Sequence, residues 1–242
     1  MSASAAATAG RPPDAPAGLG LPRLHLQLTD STNARACLLA AAGASHGTLV
    51  TAAEQSAGRG RQGRSWSAPA GRALLCSLVI RRPCALLSLA AGVAVAEVAG
   101  DDARVKWPND VLVQGRKVAG ILVEGRPQED WAVLGMGLNV ALRTEDFPPE
   151  LRDRAGTLGL TPADIEPALV RLLASLALWL EASDGEILGA FAERDALRGQ
   201  SVAWGDGRGR AHGVDDRGRL LVGTDEGREL ALWAGEVHLT SQ

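Results

Sequence analysis

Short runs in which apolar and polar residues alternate organise the first two thirds of the chain. Leu24–Leu28 alternates as a half-buried strand does, and Asp30 or Ser31 can then cap a helix that runs to about Ala42 and ends at Gly43. Similar runs predict strands at Thr48–Ala53, Ala73–Ile80, Arg104–Trp107, Val111–Val113, Lys117–Val123 and Trp131–Asn139. Apolar residues at helical spacing predict helices at Ala85–Ala99, Pro162–Ala182 and Glu186–Leu197. These elements predict an α+β domain.

The pattern changes after Gly199. Short apolar runs separated by turns rich in Gly and Asp occur at Ser201–Trp204, Gly209–Val214, Arg219–Val222 and Glu229–Trp233. Turn signals at this spacing predict a small β-barrel. We therefore expect a first domain over residues 21–197 and a second over 198–242. Residues 1–20, rich in Ala, Ser, Pro and Gly, are expected to form a disordered tail.

Composition excludes several classes of protein. Hydrophobic residues make up 46% and charged residues 22% of the 242 residues, as in globular proteins. No apolar stretch approaches the roughly 18 residues that a membrane span needs. The three cysteines form no Cys-x-x-Cys pair and the four histidines never share a helix face, so we expect a cytoplasmic protein without a protein-built metal site. A net charge of -3 argues against general nucleic-acid binding.

Positive charge is nonetheless concentrated locally. Only Lys106 and Lys117 are lysines among the 25 basic residues, and an ammonium is the more compact point charge for a carboxylate or phosphate oxygen in a small pocket. No acidic residue lies between Glu54 and Glu97. That stretch contains Arg59, Arg61, Arg64, Arg72, Arg81 and Arg82. An anionic ligand is expected nearby.

The loop Gly58–Gly63 matches the pattern G-x-G-x-x-G, which is typical of dinucleotide-binding turns. That motif requires a helix that starts within it and an acidic residue about 20 positions later, and both are missing here. The glycines and arginines of the loop are better suited to offering backbone N–H groups and guanidinium donors to phosphate oxygens. The alternative is a solvated basic loop.

Two further segments combine polar side chains in a short space. Ser31-Thr32-Asn33 stands at a predicted helix start, where it serves either as an N-cap or as a holder for a polar ligand head. Lys106–Asp110 joins a cation, an indole, a rigid turn and two polar groups. The alternative for this segment is a plain turn after Pro108.

Two glycine-containing strands complete the set of motifs. We expect Lys117, Ala119 and Ile121 on one strand face, with Gly120 leaving room for the close approach of a ligand. An edge strand with a solvated lysine is the alternative. Gly135–Asn139 repeats the pattern, with an amide at the strand end.

In this order the segments resemble the conserved blocks of the biotin protein ligase family. The blocks concerned are Asp30-Ser31-Thr32-Asn33, Gln55–Arg64, Lys106–Asp110, Arg116–Glu124 and Gly135–Val140. The resemblance extends from about Leu24 to the C-terminus, and it implies a mixed-sheet catalytic domain followed by a small SH3-like β-barrel. Because only a short Ala/Pro-rich segment precedes Leu24, we expect the monofunctional type that lacks an N-terminal DNA-binding domain and does not bind DNA.

The resemblance implies an enzyme that activates biotin with ATP to biotinyl-5′-AMP and transfers biotin to a lysine of a biotin carboxyl carrier protein, with Mg²⁺ bound to ATP. The implied biotin-binding residues are Ser31, Thr32, Asn33, Gln55, Gly58, Arg59, Gly60, Arg61, Lys117 and Gly120. The implied ATP-binding residues are Arg61, Arg64, Trp66, Lys106, Asn109, Asp110, Lys117, Asn139 and Arg143. The implied catalytic residues are Lys117, Arg59 and Asp110.

Three alternatives stay open from the sequence. Lipoate ligase shares the adenylate chemistry. However, the segment Gln55–Arg64, which we call the arginine loop, and Lys106–Asp110 favour biotin. A non-enzymatic RNA- or DNA-binding module would use the arginine loop, but the chain has two Phe and no Tyr with which to stack bases. A biotin-binding protein without activity would not need both cationic segments. The sequence predicts a monomer or a homodimer without deciding between them.

Overall fold

Two β-sheets organise the chain in the computed structural model, which describes residues 18–126, 129–205, 207–233 and 237–239. The first sheet contains β1 (Arg23–Thr29), β2 (Leu49–Gln55), β3 (Ala73–Arg81), β4 (Arg104–Lys106), β5 (Asp110–Val113), β6 (Arg116–Arg126) and β7 (Trp131–Asn139). Its strand order is β1-β2-β3-β7-β6-β5-β4. The β1–β2 pair is parallel and the other pairs are antiparallel, so the prediction of a mixed sheet is confirmed.

Helices cover both faces of this sheet. They are α1 (Thr32–Ala41), α2 (Leu87–Ala99), α3 (Ile165–Glu181) and α4 (Asp184–Arg194). The apolar run of β3 is buried on both sides, as expected for a central strand between two helical layers. Val79 packs in the cluster beneath α1, whereas Leu78 and Ile80 pack in the larger cluster with α2 and α3.

The second sheet is antiparallel. Its strands are β8 (Ser201–Trp204), β9 (Gly207–Val214), β10 (Leu220–Thr224), β11 (Glu229–Leu232) and β12 (Val237–Leu239), in the order β11-β10-β9-β8-β12. Among the described residues β11 and β12 are the outer strands of an open order, so closure into the predicted barrel is not confirmed. The short strand β12 was not predicted.

The two sheets share one hydrophobic core. Val202 and Leu220 of the second sheet belong to the same buried cluster as Phe191 of α4. The indole Nε1 of Trp107 donates a hydrogen bond of 2.9 Å to the carbonyl of Gly218, in the turn between β9 and β10. This turn therefore rests directly on the segment that joins β4 to β5.

The N-terminal segment predicted to be a tail, residues 1–20, lies mostly outside the described residues. Residues 1–17 lie outside the described residues. Leu19 is buried in the core cluster, and the N–H of Gly20 donates to the carbonyl of Gly47 at 2.9 Å. No described helix has the length and apolar character needed to cross a membrane.

Candidate active site

A cavity of about 710 Å³ opens on the α1 face of the first sheet. Most of the site residues predicted from the sequence line this cavity. They are Ser31, Thr32, Asn33, Gln55, Arg59, Gly60, Arg61, Arg64, Trp66, Lys106, Asn109, Asp110, Lys117, Gly120 and Asn139. Gly58 and Arg143 are not among the lining residues. The segments singled out in the sequence are therefore brought together, with these two exceptions.

The floor of the cavity is a row of residues in register across four strands. Leu75 pairs with Gly137, Gly137 with Gly120, and Gly120 with Asp110. A Cβ at Gly137 would lie 2.6 Å from the indole of Trp66, and one at Gly120 would lie 3.1 Å from it. The group that approaches Gly120 in the structure is the indole of Trp66, and the approach of a ligand at this glycine stays a prediction.

Lys117 does not lie on the strand face that the sequence predicted. A bulge in the β5–β6 pairing places Ala119 opposite Val111 but Lys117 opposite Leu112, so Val118 is an extra residue. Because such an insertion reverses the side to which the next residue points, Lys117 lies on the Gly120 side while Ala119 is in the core. The prediction that Lys117 and Ala119 share a face is wrong for this reason.

The Lys117 side chain is held among charged and aromatic groups. Its Nζ lies 2.6 Å from Oδ1 of Asp110 and 5.6 Å from the centroid of the Trp66 ring. Its backbone is held on the outer side, where its N–H donates to Arg154 and its carbonyl accepts from Gly156. The Asp110 carboxylate therefore holds the ammonium within the cavity, and about a third of the Lys117 side chain is exposed.

Polar side chains at the start of α1 form one end of the cavity. Ser31 caps the helix and accepts from the N–H of Ala34, so the N-cap interpretation is confirmed. The N–H and the hydroxyl of Thr32 both donate to Oε1 of Gln55, at 2.7 and 3.1 Å. Asn33 is 4% exposed and points over Gly135, where any Cβ would overlap its carbonyl oxygen. We call Ser31, Thr32, Asn33 and Gln55 the polar head.

The arginine loop lies over the cavity as a tight turn. Arg61–Gly63 forms a single 3-10 turn with no α-helix following it, which confirms that Gly58–Gly63 is not a dinucleotide-binding turn. Arg61 donates to Oδ1 of Asn109 at 3.1 Å, and burial lowers the pKa of its guanidinium. Arg59 lies 3.4 Å from Glu124. The loop thus presents cations to the cavity while anchored to the turn between β4 and β5 and to β6.

Two amides serve the structure as well as the cavity. Nδ2 of Asn109 donates to the carbonyl of Ile121, and Nδ2 of Asn139 donates to the carbonyl of Gly156, each at 2.8 Å. The second bond supports the segment that holds the Lys117 backbone. Each amide nitrogen keeps a second N–H, and Oδ1 of Asn109 already accepts from Arg61.

The two predicted residues outside the lining have other surroundings. Arg143 is exposed and lies 3.9 Å from Glu145, at the start of a short 3-10 turn. Gly58 packs against the backbone of Trp66, where a side chain would overlap the Trp66 carbonyl. Gly58 thus shapes the loop.

Some lining residues carried no signal in the sequence. Leu151, Asp153 and Arg154 come from a segment without regular alternation, and His238 and Leu239 come from the unpredicted strand β12. Ser77, which contacts the polar head, is concealed inside the apolar run of β3. A buried hydroxyl in such a run has the sequence signature of a core position.

The sequence of this chain is similar to a protein-family model and to the sequences of known ligases. Residues 26–140 match the model of the Biotin/lipoate A/B protein ligase family. The chain is 35% identical to the biotin--[acetyl-CoA-carboxylase] ligase of Mycobacterium tuberculosis, over 86% of this chain and 85% of that relative. It is also 35% identical to the bifunctional ligase/repressor BirA of Bacillus subtilis, over 86% of this chain and 71% of that relative.

The fold is similar to that of solved structures. A biotin protein ligase from Aquifex aeolicus, in complex with biotin and ATP, is 30% identical with a TM-score of 0.75, and the match covers 91% of this chain and 99% of that one. A biotin acetyl coenzyme A carboxylase synthetase from Helicobacter pylori, 20% identical with a TM-score of 0.67, shares the fold over 86% of this chain and 98% of that one. Residues 26–140, which match the family model, include every strand that forms the cavity floor.

Proposed function

We propose that this chain, which belongs to the biotin protein ligase family and is therefore a ligase, uses ATP to convert biotin to biotinyl-5′-AMP and then transfers biotin to a lysine of a biotin carboxyl carrier protein. The observation that carries this proposal is one cavity that joins a hydrogen-bonding head, a glycine floor and a fixed lysine beneath an arginine loop. The non-enzymatic alternatives do not apply to a member of this family. The curated relatives named above favour biotin over lipoate.

Biotin is assigned to the polar head and the glycine floor. A ureido ring offers two N–H donors and one carbonyl acceptor, which must be paired when they are buried. Ser31, Thr32, Asn33 and Gln55 provide short polar groups at one end of the cavity. The apolar ring and chain then extend over the floor toward Lys117, which places the carboxylate beside the ammonium.

Adenylation brings two anions together, because an oxygen of the biotin carboxylate attacks the α-phosphorus of ATP and pyrophosphate leaves. Lys117 neutralises the attacking carboxylate and then the phosphoryl oxygens, and Arg59, Arg61 and Arg64 neutralise the phosphates. Such positioning and charge stabilisation account for most of the catalysis of phosphoryl transfer. Mg²⁺ enters with ATP as part of the substrate, bound by phosphate oxygens and water. Trp66, Lys106, Asn109 and Asn139 are assigned to the nucleotide.

In the transfer step the acceptor lysine amine attacks the acyl carbon of biotinyl-5′-AMP, the C–O bond to phosphate breaks, and AMP leaves. The attacking amine must lose a proton. Asp110 is assigned as its acceptor, because its carboxylate lies in the cavity next to Lys117. We also assign residues 21–197 to a catalytic domain and 198–242 to an SH3-like domain that contributes His238 and Leu239 to the cavity rim.

Biotin-dependent exchange of labelled pyrophosphate into ATP tests the adenylation step without the acceptor protein. We expect exchange with biotin and not with lipoate, and a fall of about 10²- to 10³-fold in Lys117→Ala. Arg104→Ala, which removes an exposed cation of β4 outside the cavity, serves as the control and should exchange normally. Absence of exchange with either acid in the intact protein would refute the proposal, and exchange with lipoate alone would reassign the substrate.

A further inference from the structure

The carboxamide of Asn33 is held by three contacts. Ser77 donates to its Oδ1 at 2.6 Å. Its Nδ2 donates to Oε2 of Glu124 at 2.9 Å and to the carbonyl of Leu122 at 3.3 Å. Both N–H bonds of the amide are therefore used within the protein, and only one lone pair of Oδ1 is left.

These contacts allow only one orientation of the amide. Turning the amide over would place Oδ1 against the Leu122 carbonyl and the Glu124 carboxylate, so three acceptors would face each other without a proton. The Ser77 hydroxyl can donate or accept and so is compatible with either orientation, which means that the Leu122 carbonyl and the Glu124 carboxylate decide it. Asn33 can therefore offer a ligand an acceptor and no donor.

The side-chain amide of Gln55 is oriented the opposite way, with its oxygen bonded within the protein and its nitrogen left for a ligand. Its Oε1 accepts from the N–H of Thr32 at 2.7 Å, with the Thr32 hydroxyl oxygen 3.1 Å away, which orients the amide with its oxygen toward Thr32. Its Nε2 is left to donate. The polar head thus combines an Asn33 amide oriented as an acceptor with a Gln55 amide oriented as a donor.

We propose that Ser77 and Glu124 are positioning residues that fix the amide of Asn33 as an acceptor and thereby set the head to select a ring with an N–H facing Asn33 and a carbonyl facing Gln55. The inference rests on the proposed function, since a cyclic urea such as that of biotin has this pattern. Ser77 is fully buried and reaches the ligand only through Asn33 and Thr32, whose hydroxyl lies 2.8 Å from its own. Glu124 acts from the other side of the same amide.

The first test measures biotin affinity and turnover separately in the full chain. Ser77→Ala should raise the dissociation constant for biotin, measured by calorimetry, by about tenfold, because the head is no longer preorganised. The rate of pyrophosphate exchange at saturating biotin should stay within about twofold of the wild type, since Lys117 and the arginine loop are unchanged. Ser77→Thr keeps the hydroxyl and should recover most of the affinity.

A matched control separates positioning from general stability. Thr48→Val removes another buried hydroxyl, whose partner is Ser45, outside the cavity. It should leave biotin affinity unchanged. Glu124→Gln should also raise the dissociation constant for biotin, and because Glu124 pairs with Arg59 at 3.4 Å, this variant is compared by biotin affinity and not by pyrophosphate exchange.

The second test uses the two cyclic carbamate analogues of biotin, in each of which an oxygen replaces one ureido N–H. The wild type should reject the analogue whose oxygen faces Oδ1 of Asn33. In Ser77→Ala/Glu124→Gln the amide can turn to present an N–H, so the ratio of the two dissociation constants, analogue to biotin, should fall about tenfold. An unchanged ratio together with unchanged biotin affinity in Ser77→Ala would overturn the inference. If the wild type does not bind biotin, the proposed function itself fails. This outcome differs from failure of the inference alone, in which the wild type binds biotin but the variants behave like it.

Discussion

Asp110 and Lys117 face each other across two antiparallel strands, and their charged atoms are 2.6 Å apart. The pair is partly shielded from solvent, so each charge holds the other in place in the absence of a substrate. A biotin carboxylate that arrives at Lys117 competes with Asp110 for the same ammonium. Under the proposed function we expect substrate binding to release the Asp110 carboxylate, which could then accept a proton in the second step.

Asp110→Asn should slow transfer of biotin from preformed biotinyl-5′-AMP to a carrier domain by about 10²-fold or more, since an amide cannot accept the amine proton. Pyrophosphate exchange should fall less, because Lys117 keeps its charge. Single-turnover transfer followed by mass spectrometry measures this effect. Asp102→Asn, in an exposed turn after α2, is the control. Transfer at the normal rate in Asp110→Asn would eliminate the assigned role.

At the scale of the element, β7 has a glycine, Gly135, at the point where the Asn33 side chain of α1 packs against it. Gly135→Ala should destabilise the fold by about 1–3 kcal/mol, because its Cβ would overlap Asn33. The same change should raise the KM for biotin in pyrophosphate exchange. Gly189→Ala in α4 is the matched control, since its Cβ meets nothing within 4 Å. Urea unfolding should show this variant stabilised by up to about 1 kcal/mol. Equal effects at the two positions would contradict the packing argument.

The arginine loop is the element whose exposure should respond to ligands. Arg59 and Arg64 are exposed in the structure, so trypsin can reach the bonds that follow them. Biotin together with ATP should slow cleavage in this loop, because the guanidinium groups become engaged with phosphates and the loop closes over the adenylate. Arg217, in an exposed turn of the second sheet, should be cleaved at the same rate with and without ligands. Equal protection at both positions would argue against closure.

The sequence predicted each strand of the first sheet, because long alternating or apolar runs are the most readable signals. It did not predict the bulge at Val118, which depends on how β6 pairs with β5 and has no local signature. For the same reason the face of Lys117 was predicted incorrectly, although its presence in the cavity was expected from the family resemblance. The sequence did not identify Ser77 or β12 as parts of the site. Ser77 contacts the polar head, and β12 forms by pairing with β8, and neither contact leaves a signal in the local sequence.

At the scale of the whole molecule, Asp195 stands where α4 gives way to the second sheet. Its Oδ1 accepts from the N–H of Leu197 at 2.8 Å, whereas its buried Oδ2 has no hydrogen-bond partner among the described residues. Burial raises the pKa of this carboxyl above its ordinary value of 3.8. The neighbouring N–H of Ala196 donates to Val105 of β4, so the carboxyl lies at the junction of the two sheets.

A raised pKa means that the folded state holds this proton more tightly than the unfolded state does. The contribution is fully favourable below pH 3.8 and is lost as the pH rises through the pKa of the folded state. The stability of Asp195→Asn relative to the wild type should therefore increase with pH over this window. Urea unfolding midpoints of both proteins between about pH 4 and 8 measure the difference. A difference that does not change with pH would show that burial of the carboxyl carries no cost.

The bond from Trp107 to Gly218 also bears on the construction of chimeric ligases. Gly218 has a φ of 73°, and a Cβ there would lie 2.9 Å from Leu86 of the neighbouring helical layer. A second sheet borrowed from another family member therefore fits this chain only if it brings a glycine, with a free carbonyl, to the same turn. The second sheet and the Trp107 indole must therefore be exchanged together, and a graft that breaks this hydrogen bond would disturb the Lys106–Asp110 segment of the cavity wall from a distance.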